Sequence, residues 1–127
     1  MNLKIALAQT HIHFGNPKEN LQAGLCWIKK AYDLGCNLVL FPELWTTGYD
    51  LENGSIHSVT NQEIIAMLQE ECIKKKVAVG GSYITQKDGQ FYNSFILVDS
   101  AGNLLPQYDK LHLIKLYNED KNNLTKE

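Results

Sequence analysis

Two residues of opposite charge stand where a wound α/β sheet gathers its reactive groups, just past the carboxyl ends of strands. Glu43 follows Leu38-Val39-Leu40-Phe41 and Pro42 in the stretch NLVLFPELWTTGYD. Lys110 follows the segment Leu104 to Asp109. Pro42 fixes the backbone where the strand ends, so the carboxylate rides on a rigid element. A carboxylate and an ammonium that meet in such a crevice can accept a proton and stabilise developing negative charge. The bland alternative is a rim salt bridge between two unrelated loops.

Other chemically capable residues read as structural. His11-Ile12-His13 turns two imidazoles the same way at a strand exit, with His57 and His112 as further ligands to consider. No Cys or carboxylate cluster completes such a site, so solvent-facing or loop-packing histidines are expected, and no metal. Gly80-Gly81 has strand-like flanks and no following Lys-Ser/Thr helix, which excludes a phosphate loop. Cys26 and Cys72 fall within helices, and Cys36 lies at the entry to the strand ending at Glu43. Each reads as a small apolar packing residue. Trp45 and Tyr49 read as the wall or plug of a pocket.

The elements that must position Glu43 and Lys110 follow from periodicity. Leu3 to Ala8 predicts a buried strand. Asn16-Pro17-Lys18-Glu19 starts a helix with Leu21, Leu25, Ile28 and Tyr32 as its apolar stripe, closed by Gly35. Leu38 to Phe41 is a strand covered on both faces, and residues 44–58 have no period and predict a loop. Thr60-Asn61-Gln62-Glu63 reads as a capping box for a second helix facing inward through Ile64, Leu68 and Cys72, with Met67 beside them. Lys74-Lys75-Lys76 complements that helix's dipole. Val77 to Ile84 and Phe91 to Val98 form a hairpin around Asp88-Gly89, and Leu104 to Asp109 is a fifth strand despite Pro106. The order predicts an α/β protein with a mixed sheet, wound in its first half and hairpin-connected in its second.

Composition sets the outer bounds. The chain has 127 residues, 44% apolar and 20% charged, with a formal net charge of −2. That suits one domain and offers no basic patch for nucleic acid or an anionic membrane. No apolar run suits a signal peptide or a membrane span. Three cysteines without CxxC spacing predict free thiols and a cytoplasmic location.

The motifs together resemble the N-terminal portion of a carbon–nitrogen hydrolase of the nitrilase superfamily. KIALAQT with Gly15 and Asn20 resembles the opening strand and loop, NLVLFPELWTTGYD the first catalytic motif, and FYNSFILVDSAGNLLPQYDKLHL the hairpin and lysine motif. NEDKNNLT resembles the segment that follows. The resemblance implies that Glu43 is the general base, that Lys110 stabilises the oxyanion of a tetrahedral intermediate, and that Glu119 helps position substrate and lysine. It implies an αββα sandwich, no metal or organic cofactor, a small linear amide or nitrile as substrate, and a homodimer. An ω-amidase-like branch is favoured over a true nitrilase.

The family's nucleophilic cysteine belongs to a third motif, downstream of the lysine motif, and these residues contain no match to it. Residues 1–127 are therefore expected to be a partial, truncated domain that leaves apolar strand faces uncovered. By itself the chain is expected to be inactive. The alternative is a non-catalytic remnant that binds a small carboxamide or a partner subunit.

Overall fold

The computed structural model describes residues 2–113. They run β1 (Ile5–Leu7), α1 (Pro17–Asp33), β2 (Leu38–Leu40), a short 3-10 turn (Leu51–Asn53), α2 (Gly54–Lys75), β3 (Ala78–Lys87), β4 (Gln90–Val98) and β5 (Tyr108–Asp109). The five strands lie in chain order across one sheet. β1, β2 and β3 are parallel, while β4 and β5 each add antiparallel. The expected mixed α/β sheet is present. The two parallel crossovers place α1 and α2 on one face, where they cover Val39, Val77, Val79, Ile96 and Val98. Among the described residues no helix is long and apolar enough to cross a membrane.

Local signals explain most element ends. The Asn16 side chain accepts from the Glu19 backbone N–H at 3.2 Å, with Pro17 in the first turn. Asp88 and Gly89 both sit at positive φ, 52° and 77°, which the tight hairpin requires.

Three expectations need correction. The buried line of α1 is Asn20, Gly24, Ile28 and Ala31, whereas Tyr32 is 52% exposed. The helix turns Gly24 to the sheet because Trp45 presses on it; a Cβ there would lie 2.6 Å from Trp45 Cζ3. Next, α2 begins at Gly54 rather than at Thr60, so the end of the supposed loop is helical. Its first turns bury His57, Ser58 and Asn61, which hides the apolar periodicity from a reading by hydropathy. Asn61 is fully used there, accepting from Thr46 Oγ1 at 2.7 Å and donating to the Ile84 carbonyl at 3.0 Å. Thr60 bonds back to the Ile56 carbonyl instead of capping, and Met67 is exposed.

The third correction matters for the site. The fifth strand is interrupted: Leu104 bridges Val98, and the ladder resumes with Tyr108 opposite Phe95 and Asp109 opposite Ser94. The register slips by one residue between these points, around Pro106, which has no N–H to give the ladder.

The face of the sheet away from the helices leaves Ile5, Leu7, Phe95 and Tyr108 exposed, Leu7 by 65%. Apolar surface of this kind drives association. The full chain is expected to self-associate or aggregate with rising concentration in sedimentation velocity. A monomer that stays soluble and unfolds cooperatively would count against that expectation.

Candidate active site

Glu43 and Lys110 meet. Lys110 Nζ lies 2.6 Å from Glu43 Oε1, with side chains 22% and 39% exposed. β2 ends at Leu40, but the Phe41 N–H still reaches the Gly80 carbonyl at 2.8 Å, so Pro42 and Glu43 leave the sheet in a fixed direction. Leu44 then takes a left-handed turn at φ 48°, which costs a branched residue on the order of 1–3 kcal/mol. The conformation is held from several sides. Ser82 Oγ accepts from the Leu44 N–H at 2.8 Å, and the Leu44 carbonyl accepts from Thr47 and Gly48. Leu44 itself is wholly buried.

Lys110 owes its direction to the register slip. Its N–H donates to the Asn93 carbonyl at 2.9 Å, which sets the two residues side by side on the face that carries Glu43. Successive strand residues point to opposite faces, so without the extra residue near Pro106 the lysine would be turned to the helix side. Deleting Pro106 is expected to break the Lys110–Glu43 contact, read as a changed Lys110 side-chain NMR signal. An unaltered signal would contradict the role given to the slip.

Two further residues complete the carboxylate's surroundings. Asn93 Nδ2 donates to Glu43 Oε1 at 2.7 Å, and Tyr49 Oη donates to Oε2 at 2.6 Å. Asn93 is visible in the sequence as part of FYNSFILV, but nothing local marks it as a partner of a residue in another motif. Tyr49, expected as pocket wall or plug, is a donor to the candidate base. Its loop is anchored behind it, where Asp50 Oδ2 meets buried His57 Nε2 at 2.8 Å and both Asp50 oxygens accept from Asn53.

Burial is the largest single influence on Glu43 and pushes its carboxyl pKa up. Hydrogen bonds from Lys110, Tyr49 and Asn93, with the charge of Lys110, outweigh it and hold the group below its usual value. The ionised form is thus favoured by folding. Its stabilising effect is present above the unfolded-state value and fades as pH falls through the lower folded value. Tyr49→Phe removes one donor and is expected to raise the Glu43 midpoint in a carboxyl-carbon NMR titration. A midpoint that stays put would remove Tyr49 from this set.

The pair opens into a cavity of about 270 Å³ lined by Phe41, Ser82, Phe95 and Tyr108 with Glu43, Asn93 and Lys110. No cysteine is among the lining residues. Cys36 and Cys72 are in the core under the helices and Cys26 is exposed on α1. Burial first, then the charge of Asp99, pushes the Cys72 thiol up to about 11, far from an attacking thiolate at neutral pH. Trp45, expected near the pocket, is completely buried on the helix side, stacked on Phe41 with ring centroids 4.2 Å apart. His13 pairs with Glu19 and His57 with Asp50. Among the described residues no three His, Cys, Asp or Glu side chains are grouped to hold a metal ion. Glu119 lies outside the described residues.

Comparison with known proteins places these features in context. The family profile described as carbon–nitrogen hydrolase matches residues 4–126. The chain is 34% identical to the 2-oxoglutaramate amidase of Bacillus subtilis over 121 residues, covering 94% of this chain and 46% of that protein. It is 28% identical to the chloroplastic omega-amidase of Arabidopsis thaliana over 109 residues, covering 78% of this chain and 29% of that protein. Among solved structures, the NitN amidase of Nesterenkonia sp. AN1 superposes with a TM-score of 0.87 at 22% identity, over 99% of this chain and 50% of that one. A glutamate-to-glutamine variant of the amidase from Nesterenkonia sp. AN1, with acrylamide added to its active-site cysteine, gives a TM-score of 0.88 at 22% identity, over 99% and 50%. The likeness shows a shared nitrilase-type fold, and the chain spans about half the length of these amidases or less.

Proposed function

Because the chain belongs to the carbon–nitrogen hydrolase family, we propose that it supplies the base and the oxyanion-stabilising cation of a thiol amidohydrolase acting on a small linear amide. The observation that carries this reading is the Glu43–Lys110 contact at 2.6 Å, made by residues far apart in the chain, inside a cavity with apolar walls. In this mechanism a thiol attacks the amide carbon and Glu43, held ionised by its three donors, accepts the thiol proton. The carbonyl oxygen gains negative charge beside Lys110 Nζ, whose hold on Glu43 weakens as that carboxylate is neutralised. Glu43 then returns the proton to the departing amine, and water releases the acyl group. Glu119 is assigned to substrate positioning.

None of the three cysteines lines the cavity, so the attacking thiol in this reading comes from outside these residues. The second sheet of the sandwich then covers Ile5, Leu7, Phe95 and Tyr108. An omega-amidase-like substrate, a linear ω-amide of a dicarboxylic acid, is supported by the kinds of relatives found. A cytoplasmic homodimer joined through its helices is part of the proposal. Ile56, Val59 and Met67, exposed on α2, support that arrangement.

The test uses the protein expressed from its gene with any encoded residues beyond Glu127. Ammonia release from short linear amides, stopped by thiol alkylation, is the expected result. No hydrolysis, or hydrolysis indifferent to alkylation, would overturn the reading and favour a binding remnant.

A further inference from the structure

A second cavity, of about 520 Å³, lies on the other side of the sheet, between α2 and the ends of β3 to β5. Asp109 and Lys110 are neighbours in the chain, yet the strand turns one into each cavity. Asp109 is only 5% exposed. One of its oxygens, Oδ1, accepts from Ser94 Oγ and from Gln107 Nε2 at 3.0 Å. Ser94 is in turn bonded to Thr85 Oγ1 at 2.6 Å. No cation meets the carboxylate: the ion pairs among the described residues do not include Asp109, although Lys87 lines the same cavity. A buried carboxylate with neutral donors on one oxygen and no counter-charge is costly unless a cation joins it.

We propose that this cavity binds a small organic ammonium ion with an aliphatic body, its cationic head on Asp109. The remaining lining fits both ends of such a molecule. Gln62 and Gln86 offer amide carbonyls that can accept the other ammonium N–H groups. Ile65, Ile96 and Leu104 provide apolar wall for the alkyl part. A bare metal ion fits poorly, because Asp109 is the single acidic residue of the lining and no three ligands are grouped. The site shares no lining residue with the cavity of Glu43 and Lys110, so it stands or falls independently of the hydrolase reading.

The test is a titration of the ¹⁵N-labelled full chain with n-butylammonium chloride, with butan-1-ol and sodium chloride as controls. Saturable shifts at the amides of Thr85, Gln107 and Asp109 are expected with the amine alone. Asp109→Asn, which keeps the shape and removes the charge, should weaken binding at least tenfold, while Thr85→Val should weaken it less. Equal response to butanol, or unchanged affinity in Asp109→Asn, would overturn the proposal. So would binding that appears only in Lys87→Ala, since the cation would then be the protein's own. Absence of binding because a second copy or residues outside 2–113 fill the cavity would overturn it too.

Discussion

Glu43→Gln is expected to reduce kcat of the thiol-containing protein by roughly 10²–10⁴-fold, the range for losing a positioned general base. The amide has nearly the same shape and can still accept from one donor, but it cannot take the thiol proton. Stability should change little. The Glu43–Lys110 pair is 39% and 22% exposed, and partly exposed ion pairs contribute about 0–1 kcal/mol. Kinetics and thermal unfolding of the same preparation separate the two effects. Turnover close to the parent's would end the assignment of Glu43 as the base. The pH profile gives a second reading. The acid limb of kcat/KM should lie below the ordinary glutamate range, because the donors around Glu43 favour its ionised form. Tyr49→Phe should move that limb to higher pH.

Trp45→Ala is the substitution expected to cost the fold most, about 3–5 kcal/mol, as for other large-to-small changes at buried aromatics. Trp45 is wholly buried, stacked on Phe41 and edge-on to Tyr83 with centroids 6.0 Å apart. It fits between two glycines. A Cβ at Gly24 would lie 2.6 Å from its ring, and one at Gly81 would lie 2.7 Å from Cδ1. A loss of that size is a large fraction of the 5–15 kcal/mol typical of a domain. Urea unfolding of the alanine variant should show a much lower midpoint or no folded baseline. Gly81→Ala should be destabilising in the parent and far less so beside Trp45→Ala, since the new methyl then fills the space the ring leaves. A loss under about 1 kcal/mol in Trp45→Ala, well short of the usual range, would mean that the ring is not the keystone of the helix–sheet interface.

The missed features have a common cause. Periodicity reports whether a residue faces a core, and it fails where polar groups are buried in pairs. Asn61 and His57 read as loop or cap residues because nothing in the local pattern reveals Thr46, Ile84 or Asp50 as their partners. Trp45 was displaced for the same reason. Its neighbours Gly24, Gly81 and Tyr83 come from two other elements, so adjacency to Glu43 was a poor guide to which face it occupies.

By itself the sequence determined the strands and helices, the capping of α1, the β3–β4 hairpin, and the two strand ends that deliver Glu43 and Lys110. These depend on short-range chemistry: apolar runs, a proline, a capping asparagine and an Asp-Gly turn. Only the tertiary structure decided that the carboxylate also has Asn93 and Tyr49, and that Asp109 faces a different cavity from Lys110. Those outcomes depend on a one-residue slip in register between β4 and β5. Side chains alternate along a strand, so that slip selects which residue reaches each face.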